Sequence, residues 1–359
     1  MSAFSAPIRY FLGVQTPDGF QSTIEHLYPY TDGWRVYLLK GGAGTGKSGL
    51  LKRAFTKLTE DGQEVEAFCC SADPTSLDAV RCEAKTLCLL DATAPHAVEP
   101  RYWGIAERPV ALFNCTDADR LHTAAQTIIE LTDACHTAHA RVRRHLQAAA
   151  SLLAENRRDQ QAALLTDKIR HTARSIARRE WGGNLADGGQ AIHRFLSAVT
   201  PEGIVTFYDT LQTLCPRIYT VEDEHGAAAD CLLGELVKLA TASGLTCIVC
   251  PCPLFPRAAA QHLLIPSLGL GFTVSNRFHK ADFPVYRRLH AARFTDTDSL
   301  NDKRQRLKFR HRAATELLSA ATEAAAEAKA YHDRLEQLNG TAVNWAQYEQ
   351  LAAELLQQI

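Results

Sequence analysis

A glycine-rich segment near the start of the chain carries the residue types and the spacing with the clearest chemistry. Residues 41–48 read Gly-Gly-Ala-Gly-Thr-Gly-Lys-Ser, which is the G-x-x-x-x-G-K-S spacing of a phosphate-binding P-loop. Glycines let such a loop curl so that backbone N–H groups point inward at phosphate oxygens, where a Cβ would obstruct them. Lys47 is placed to reach the β- and γ-phosphates, and the Ser48 hydroxyl to bind Mg²⁺. The segment therefore predicts a nucleotide site.

The flanks of this segment supply the structure that a P-loop needs. Arg35–Lys40 reads as an apolar strand before it, and a helix is predicted to begin near Gly46. The positive end of that helix adds to the attraction for anions. We assign phosphate binding to Gly41, Gly42, Ala43, Gly44, Thr45, Gly46, Lys47, Ser48 and Gly49.

A second carboxylate is expected at the end of a neighbouring strand. Thr86–Asp91 is an apolar run that ends in an acid, so Asp91 is our candidate for holding Mg²⁺ together with Ser48. The alternative is that Asp91 only opens the following loop. Because Ala92 comes next, the acid pair with which ABC and many AAA+ ATPases activate water is absent, and this argues against a fast motor-type ATPase.

Asp73 and His96 complete the predicted catalytic set with Lys47 and Asp91. Asp73 follows the predicted strand Val65–Cys70 and could act as the base for a phosphoryl acceptor. An Asp-Pro pair also begins short helices, which is the alternative role. His96 lies just past Asp91, at the sheet edge where ligands collect in open parallel sheets, and could position water or sense the ligand. Otherwise it is a histidine satisfied within its own loop.

Strands and helical segments alternate through the first part of the chain. This alternation predicts an α/β fold with a parallel sheet covered by helices on both faces. We predict a strand around Leu38, a helix over Lys47–Glu60, a strand over Val65–Cys70, a short helix over Ser76–Val80 and a strand over Thr86–Asp91.

The same unit is written twice in the sequence. Ile8–Gly19 returns as Ile192–Gly203, and Arg35–Tyr37 returns as Arg217–Tyr219. The fold class that we predict is therefore two tandem P-loop NTPase-like domains, residues 1–185 and residues 186–359.

The second copy has lost the phosphate chemistry. Ala229 replaces Lys47, Asp230 replaces Ser48, and further acids line a segment that would repel a triphosphate. We expect one competent site per chain. The second copy is then either a structural partner or a lid over the first site that lends an arginine. The candidates for that arginine are Arg217, Arg257 and Arg277.

Long helices with apolar residues on a 3–4 spacing follow each copy. We predict one helical hairpin arm over about 117–181, with a turn at Glu155–Asp159, and another over about 298–358, with a turn at Asn339–Gly340. Between residues 141 and 179 there are ten Lys or Arg against three acids. Such arms could bind nucleic acid or an acidic protein partner, or they could be ordinary solvated faces, because no aromatic residues interleave the basic ones.

The composition excludes some classes of protein. A net charge of −1 gives no case for a nucleic-acid protein over the whole chain. With no run of eighteen apolar residues and no charged-then-apolar leader, we expect a soluble, cytoplasmic protein that does not bind membranes. The eleven cysteines are then reduced thiols. Strand alternation separates Cys247 from Cys250 and Cys252, which argues against a zinc site.

Several of these motifs together resemble the uncharacterised bacterial tandem P-loop ATP-binding proteins, also described as ATPases. The segments that carry the resemblance are Phe11–Gly13 with Thr16–Gly19, Leu39–Ser48, Cys70–Pro74 with Ser76–Asp78, Asp91–His96, and Phe195–Gly203. The resemblance implies a two-domain architecture and ATP as the ligand. In that family the second half often keeps its own G-x-x-x-x-G-K-S, and this chain departs from the family there.

The function that we expect is Mg-ATP binding and slow hydrolysis in the first domain, coupled to movement of the degenerate repeat. One alternative is a small-molecule or nucleotide kinase that uses Asp73 as its base. Another is a nucleotide-gated module that binds nucleic acid or protein through the basic arms. No N-K-x-D guanine-reading motif occurs, which favours ATP over GTP.

Overall fold

The structure is a computed structural model and describes residues 8–29, 33–102, 104–258 and 260–359. Its contacts divide the chain into two compact units. Unit 1 contains Met1–Val14, Phe20–Val142 and Thr322–Ile359, and unit 2 contains Gln15–Gly19 and Arg143–Ala321. This division groups residues differently from the predicted boundary at 185/186, because the last part of the chain belongs with the first sheet.

A six-stranded mixed sheet forms the centre of unit 1, in the order β1-β5-β6-β7-β4-β8. The first eight strands are β1 (Arg9–Phe11), β2 (Gly13–Thr16), β3 (Gly19–Ser22), β4 (Arg35–Lys40), β5 (Glu66–Cys69), β6 (Leu77–Cys82), β7 (Leu87–Asp91) and β8 (Glu107–Ala111). Strands β2 and β3 make a separate two-stranded sheet. Strand β4 runs parallel to both of its neighbours, whereas β6 runs antiparallel to β5 and β7.

Unit 2 contains a second sheet with the same topology. The later strands are β9 (Ala191–His193), β10 (Ser197–Thr200), β11 (Gly203–Thr206), β12 (Arg217–Glu222), β13 (Cys247–Pro251), β14 (Ala260–Ile265), β15 (Leu270–Ser275) and β16 (Arg287–His290). The sheet order is β9-β13-β14-β15-β12-β16, and β14 is the strand that runs antiparallel to both neighbours. The predicted tandem repeat is confirmed as two repeated sheet-helix units.

The prediction that these sheets are parallel is wrong, and so is the short helix predicted over Ser76–Val80. Residues Leu77–Cys82 form a strand in the interior of the sheet. Five of its six residues are buried, so the run shows no alternation that would separate a strand from a buried helix segment. A turn after β5, in which Cys70 N–H donates to Ser76 O at 3.1 Å, returns the chain in the antiparallel direction.

Helix α1 (Lys47–Glu60) begins and ends where the sequence predicted. Its buried positions recur at helical spacing and face the sheet, and they are Leu50, Leu51, Ala54, Phe55 and Leu58. Strand β4, just before it, is a continuous apolar run that is buried on both faces, as parallel strands usually are. The loop between β4 and α1 is therefore held at both ends by core elements.

The remaining helices include two of 37 residues each. They are α2 (Ala118–Thr123), α3 (Ala125–Gln161), α4 (Thr166–Trp181), α5 (Tyr208–Leu214), α6 (Ala227–Ala242), α7 (Thr297–Asn301), α8 (Arg304–Gly340) and α9 (Trp345–Gln357). The turn predicted at Glu155–Asp159 is wrong, because α3 continues without a break to Gln161.

The long helices each contribute residues to both units. The second half of α3 and all of α4 belong to unit 2, whereas the second half of α8 and all of α9 belong to unit 1. In unit 2, α4 packs on α6 through Ile169, Ala173 and Ile176. None of the helices in the described part of the chain is both long and apolar enough to cross a membrane.

Candidate functional site

The segment Gly41–Ser48, called here the first loop, joins β4 to α1. Gly44 and Gly46 have φ angles of +76° and +85°, a backbone conformation that favours glycine. Space also requires a glycine at position 44, because a Cβ there would lie 2.3 Å from the carbonyl oxygen of Glu336 on α8. The glycines of the motif are thus explained by the path of the backbone and by close packing against α8.

Four carbonyl oxygens of the first loop, those of Gly41, Gly42, Ala43 and Gly46, are paired with side-chain donors. Lys47 Nζ donates to the carbonyls of Gly41 and Gly42, both at 2.7 Å. Asn339 Nδ2 on α8 donates to the carbonyl of Ala43 at 3.0 Å. The Tyr348 hydroxyl on α9 donates to the carbonyl of Gly46, also at 3.0 Å. The acceptors of the loop are therefore held by its own lysine and by the last two helices of the chain.

The N–H donors of the same loop are not paired in this way. Within the described residues, Thr45 N–H makes a long bond of 3.4 Å to Gly42 O, and no side chain caps α1. Among the described residues, no acceptor is found for the N–H groups of Gly44, Gly46, Lys47 and Ser48. A helix N-terminus with unpaired donors carries partial positive charge. The loop therefore offers donors and positive charge to an anion.

Ser48 is the last residue of this loop, and Asp91 lies close to Lys47. The Ser48 hydroxyl accepts a hydrogen bond from Leu77 N–H at 3.0 Å, at the start of β6. Asp91 ends β7, and its Oδ2 lies 3.6 Å from Lys47 Nζ. Burial raises the pKa of Asp91 above its ordinary value, although the charge of Lys47 opposes the shift. A carboxylate and a hydroxyl are oxygen ligands of the kind that Mg²⁺ takes in nucleotide sites, where phosphates and waters supply the rest.

Asp73 is occupied by hydrogen bonds within its own turn. Its Oδ1 accepts from the Thr75 N–H at 3.1 Å and from the Thr75 hydroxyl at 2.7 Å, and its Oδ2 accepts from the Ser76 hydroxyl at 3.1 Å. Burial alone would raise the pKa of Asp73, but these bonds and the charge of Lys329 hold it below its ordinary value. This geometry resembles the capping alternative more than a base, except that a strand follows instead of a helix.

His96 is buried and bonded to an acid that the sequence did not single out. Its Nε2 lies 3.0 Å from Asp78 Oδ2 on β6, and the ring of Phe20 packs edge-on at 4.9 Å. Burial alone would lower the pKa of His96, but the Asp78 carboxylate outweighs it and raises the pKa. The signal for Asp78 lay in the repeat, because Gln261 stands at the equivalent position of the second sheet.

The equivalent segment of unit 2, Asp223–Asp230, is called here the second loop, and it pairs its donors internally. Asp223 takes the place of Gly41, and its carboxylate accepts from Ala229 N–H at 2.8 Å and from His225 N–H at 3.2 Å. Gln160 on α3 donates to Asp223 and accepts from Ala227 N–H, both at 2.7 Å. A carboxylate therefore occupies the position that an anion would take at this helix N-terminus.

Asp230 keeps one structural role of Ser48 and adds a new one. Its Oδ1 accepts from Ala260 N–H at 3.1 Å at the start of β14, just as Ser48 accepts from the first residue of β6. Its Oδ2 pairs with Arg157 at 3.0 Å. Of the arginines considered as a charge-stabilising group, Arg217 pairs with Glu180 at 2.6 Å and Arg277 pairs with Glu224, both within unit 2.

Several basic side chains of the long helices are also committed to ion pairs. Arg141 pairs with Glu327 in unit 1. Asp159, which the sequence placed in a turn, instead accepts from Lys303 at 2.8 Å and from Arg310 at 2.7 Å in unit 2. Arg143 and Arg144 remain exposed.

An apolar groove of about 550 Å³ adjoins the first loop. Gly42, Thr45 and Asn339 line one part of it, and Leu121 and Ile128 line another. Small-molecule sites commonly have this size and this mixture of apolar walls with a few polar groups.

The described residues contain no cluster of three or more His, Cys, Asp or Glu that could hold a metal ion. A site made of one hydroxyl and one carboxylate, completed by phosphates, does not need such a cluster.

Comparison with protein-family models, with curated proteins and with solved structures finds no match to this chain.

Proposed function

We propose that unit 1 binds Mg-ATP through the first loop and hydrolyses it slowly. The observation that carries the proposal is the asymmetry of the loop: four of its carbonyls are paired with Lys47, Asn339 and Tyr348, whereas the N–H groups of Gly44, Gly46, Lys47 and Ser48 have no acceptor among the described residues. Phosphate oxygens are the acceptors that this arrangement suits, because several N–H groups and a lysine converge at a helix N-terminus.

Each residue of the site has a role that its position supports. Lys47 leaves the carbonyls of Gly41 and Gly42 and turns to phosphate oxygens, which are stronger acceptors because they are charged. The Ser48 hydroxyl and the Asp91 carboxylate would hold Mg²⁺, and Asp91, whose Oδ2 lies 3.6 Å from Lys47 Nζ, keeps the lysine oriented. Mg²⁺, when bound, neutralises charge on the phosphates. The groove beside Gly42 provides an apolar surface for the nucleoside.

Hydrolysis is proposed to be slow because no acid follows Asp91 in the sequence and the nearby Asp78 is bonded to His96. Ala92 follows it in the sequence, and Asp73 is engaged with Thr75 and Ser76. The His96 ring is held by the Asp78 carboxylate on β6, with 3.0 Å between Nε2 and Oδ2. These residues bind and orient the nucleotide better than they activate water.

The test is a matched pair of lysine substitutions on α1. Lys47→Ala should weaken binding of a non-hydrolysable ATP analogue with Mg²⁺ about a hundredfold or more, equivalent to ~2.7 kcal/mol, as measured by calorimetry. Lys57→Ala removes the same charge from the same helix, but its partner is Asp61 at 3.6 Å, and binding should not change. Equal affinity of the Lys47→Ala variant and the unaltered protein would reject the site.

A further inference from the structure

Unit 2 contains a cavity of about 80 Å³ beside the second loop, and every residue that lines it belongs to this unit. Among them are Gly226, Gln261, Val274 and His279, which stand at the positions of Gly44, Asp78, Asp91 and His96. The cavity therefore lies at the edge of the second sheet that is equivalent to the edge of the first sheet where the nucleotide site is proposed. Different side chains line the two places.

Three buried polar atoms of these lining side chains have no partner among the described residues. They are Gln261 Oε1, His279 Nε2 and His311 Nδ1. Gln261 is 4% exposed and His311 is 2% exposed. Buried polar groups are nearly always hydrogen-bonded, and leaving one unpaired costs about 1–3 kcal/mol. Three such atoms around one cavity indicate a shared polar occupant.

The charges around the cavity are already neutralised by protein partners. Glu224 pairs with Arg277, and Arg157 pairs with Asp230. Burial lowers the pKa of His279 and the pKa of His311 to about 4, so both imidazoles are neutral near pH 7. An occupant with a net charge would find no counter-charge free to meet it.

The imidazoles can supply both donors and acceptors. His225 Nδ1 lies 3.1 Å from His311 Nε2, so one ring donates to the other, and the direction of this bond decides whether His311 Nδ1 is a donor or an acceptor. The Gln261 Oε1 atom can only accept. The occupant must therefore bring at least one N–H or O–H donor.

Flat side-chain groups line another part of the cavity. The rings of Phe278 and His311 stack at 5.8 Å with an angle of 24° between them. The Arg157 guanidinium lies 5.0 Å from the ring centre of Phe255. At about 10–15 Å³ for each water-sized group, the cavity holds roughly five to eight heavy atoms. A planar ring of that size fits both the walls and the volume.

We propose that unit 2 is a binding site for a small, uncharged, planar molecule with an N–H donor, of the size and type of a free pyrimidine base. The repeat has then kept its cleft while replacing the chemistry that binds phosphate by chemistry that binds a neutral heterocycle. The proposal does not depend on ATP binding in unit 1.

The test uses uracil and cytosine as probes, with the full-length protein carrying ¹³C-labelled histidine. Addition of at least one base should shift the ring signals of His311 and His279 in a saturable way and leave that of His96 in unit 1 unchanged. Inorganic phosphate, tested in parallel, should shift neither His311 nor His279. Absence of a saturable shift with both bases at millimolar concentration would overturn the proposal, and so would a response to phosphate at these two histidines.

Two substitutions separate this site from incidental binding. Gln261→Met keeps the length of the side chain but removes the acceptor, and it should weaken base binding at least tenfold. Gln347→Met, on an exposed position of α9, is the matched control and should have no effect. Should Gln261→Met fail to fold, Cys252→Met fills the cavity from another wall and should also abolish the shifts. Shifts that persist unchanged in these variants would refute the assignment, and Lys47→Ala should leave them intact.

Discussion

The first and second loops stand at equivalent positions of the two repeated units, and the helix N-terminus that follows differs between them in how its donors are paired. In the first loop, Gly41 contributes no side chain, and the N–H groups of Lys47 and Ser48 at the start of α1 have no acceptor among the described residues. In the second loop, Asp223 stands at the same position and its carboxylate accepts from Ala229 N–H. Two features therefore distinguish the second loop from the first: an internal carboxylate that accepts from the helix N-terminus, and an alanine in place of Lys47.

The two loops differ in how much their hydrogen bonds stabilise the units that contain them. Hydrogen bonds to a charged group contribute about 1.5–3 kcal/mol each, so the Asp223 carboxylate stabilises the second loop. The first loop forgoes that contribution and keeps its donors available. Thr45 fits this picture, because a Cβ at position 41 would lie 2.5 Å from its hydroxyl, whereas unit 2 has the smaller Ala227 at the equivalent position.

Removing the internal anion should have the largest effect. Asp223→Ala leaves the N–H groups of Ala229 and His225 and the amide of Gln160 without their acceptor, so we expect a loss of about 4 kcal/mol of stability in unit 2. Hydrogen exchange of α6 amides under mild urea measures this loss within the unit. Asp296→Ala, which removes a carboxylate cap from the exposed helix α7, is the control and should cost much less. A loss no larger than the control's would break the comparison.

Installing the internal anion in unit 1 tests the converse. The double variant Gly41→Asp with Thr45→Ala reproduces the second loop at two positions while Lys47 and Ser48 remain. The new carboxylate should pair with the donors and repel a triphosphate, and ATP-analogue affinity should fall about a hundredfold, or ~2.7 kcal/mol. Thr45→Ala alone should change it less than threefold. Undiminished binding by the double variant would show that the carboxylate does not determine the difference between the loops.

The helices that touch the two loops should differ in what they contribute. Gln160 makes two bonds of 2.7 Å to the second loop, whereas its counterpart Asn339 makes one of 3.0 Å to the first. Gln160→Ala should therefore destabilise unit 2 by about 2 kcal/mol, and Asn339→Ala should destabilise unit 1 by about 1 kcal/mol. Hydrogen exchange at the start of α6 and of α1 compares them. Reversal of this order would contradict the hydrogen-bond argument.

The smallest expected effect concerns the pKa values of His96 and His279, which stand at equivalent positions of the two units. The pKa of His96 is raised because Asp78 outweighs burial, and that of His279 is lowered to about 4 by burial. The stability that His96 contributes is fully present below pH ~6.5 and is lost as the pH rises through its folded pKa. The stability that His279 contributes is fully present above pH ~6.5 and is lost as the pH falls toward about 4.

Ring-proton titrations by NMR follow both groups directly. Asp78→Asn should lower the pKa of His96, because burial is then opposed only by the charge of Asp91. The titration of His279 should stay where it is. A pKa of His96 that does not fall in this variant would show that Asp78 is not the cause of the difference.

Local patterns predicted the first loop and its flanks well. The bounds of α1 and the position of Asp91 at the end of β7 follow from apolar runs and from the motif itself. Strand β6 could not be recognised because it is buried on both faces and shows no period. Asp78 was missed with it. Alignment of the two copies would have shown an acid in unit 1 at the position where unit 2 has Gln261.

The packing of the long helices could not be derived from sequence. A 3–4 spacing shows that a helix has an apolar face, but it does not name the element that covers that face. Residues such as Asn339 and Gln160 contact their loops through single amide groups, and no periodic pattern distinguishes them from other polar residues on the same helices.

Because α9 belongs with the first sheet and α4 with the second, neither half of the chain contains all of one unit. A fragment ending at residue 185 would keep Lys47 but lose Tyr348, whose hydroxyl holds the carbonyl of Gly46. It would also carry Ile169 and Ile176 without the α6 surface that buries them. Each unit therefore depends on residues that lie outside its own copy of the repeat.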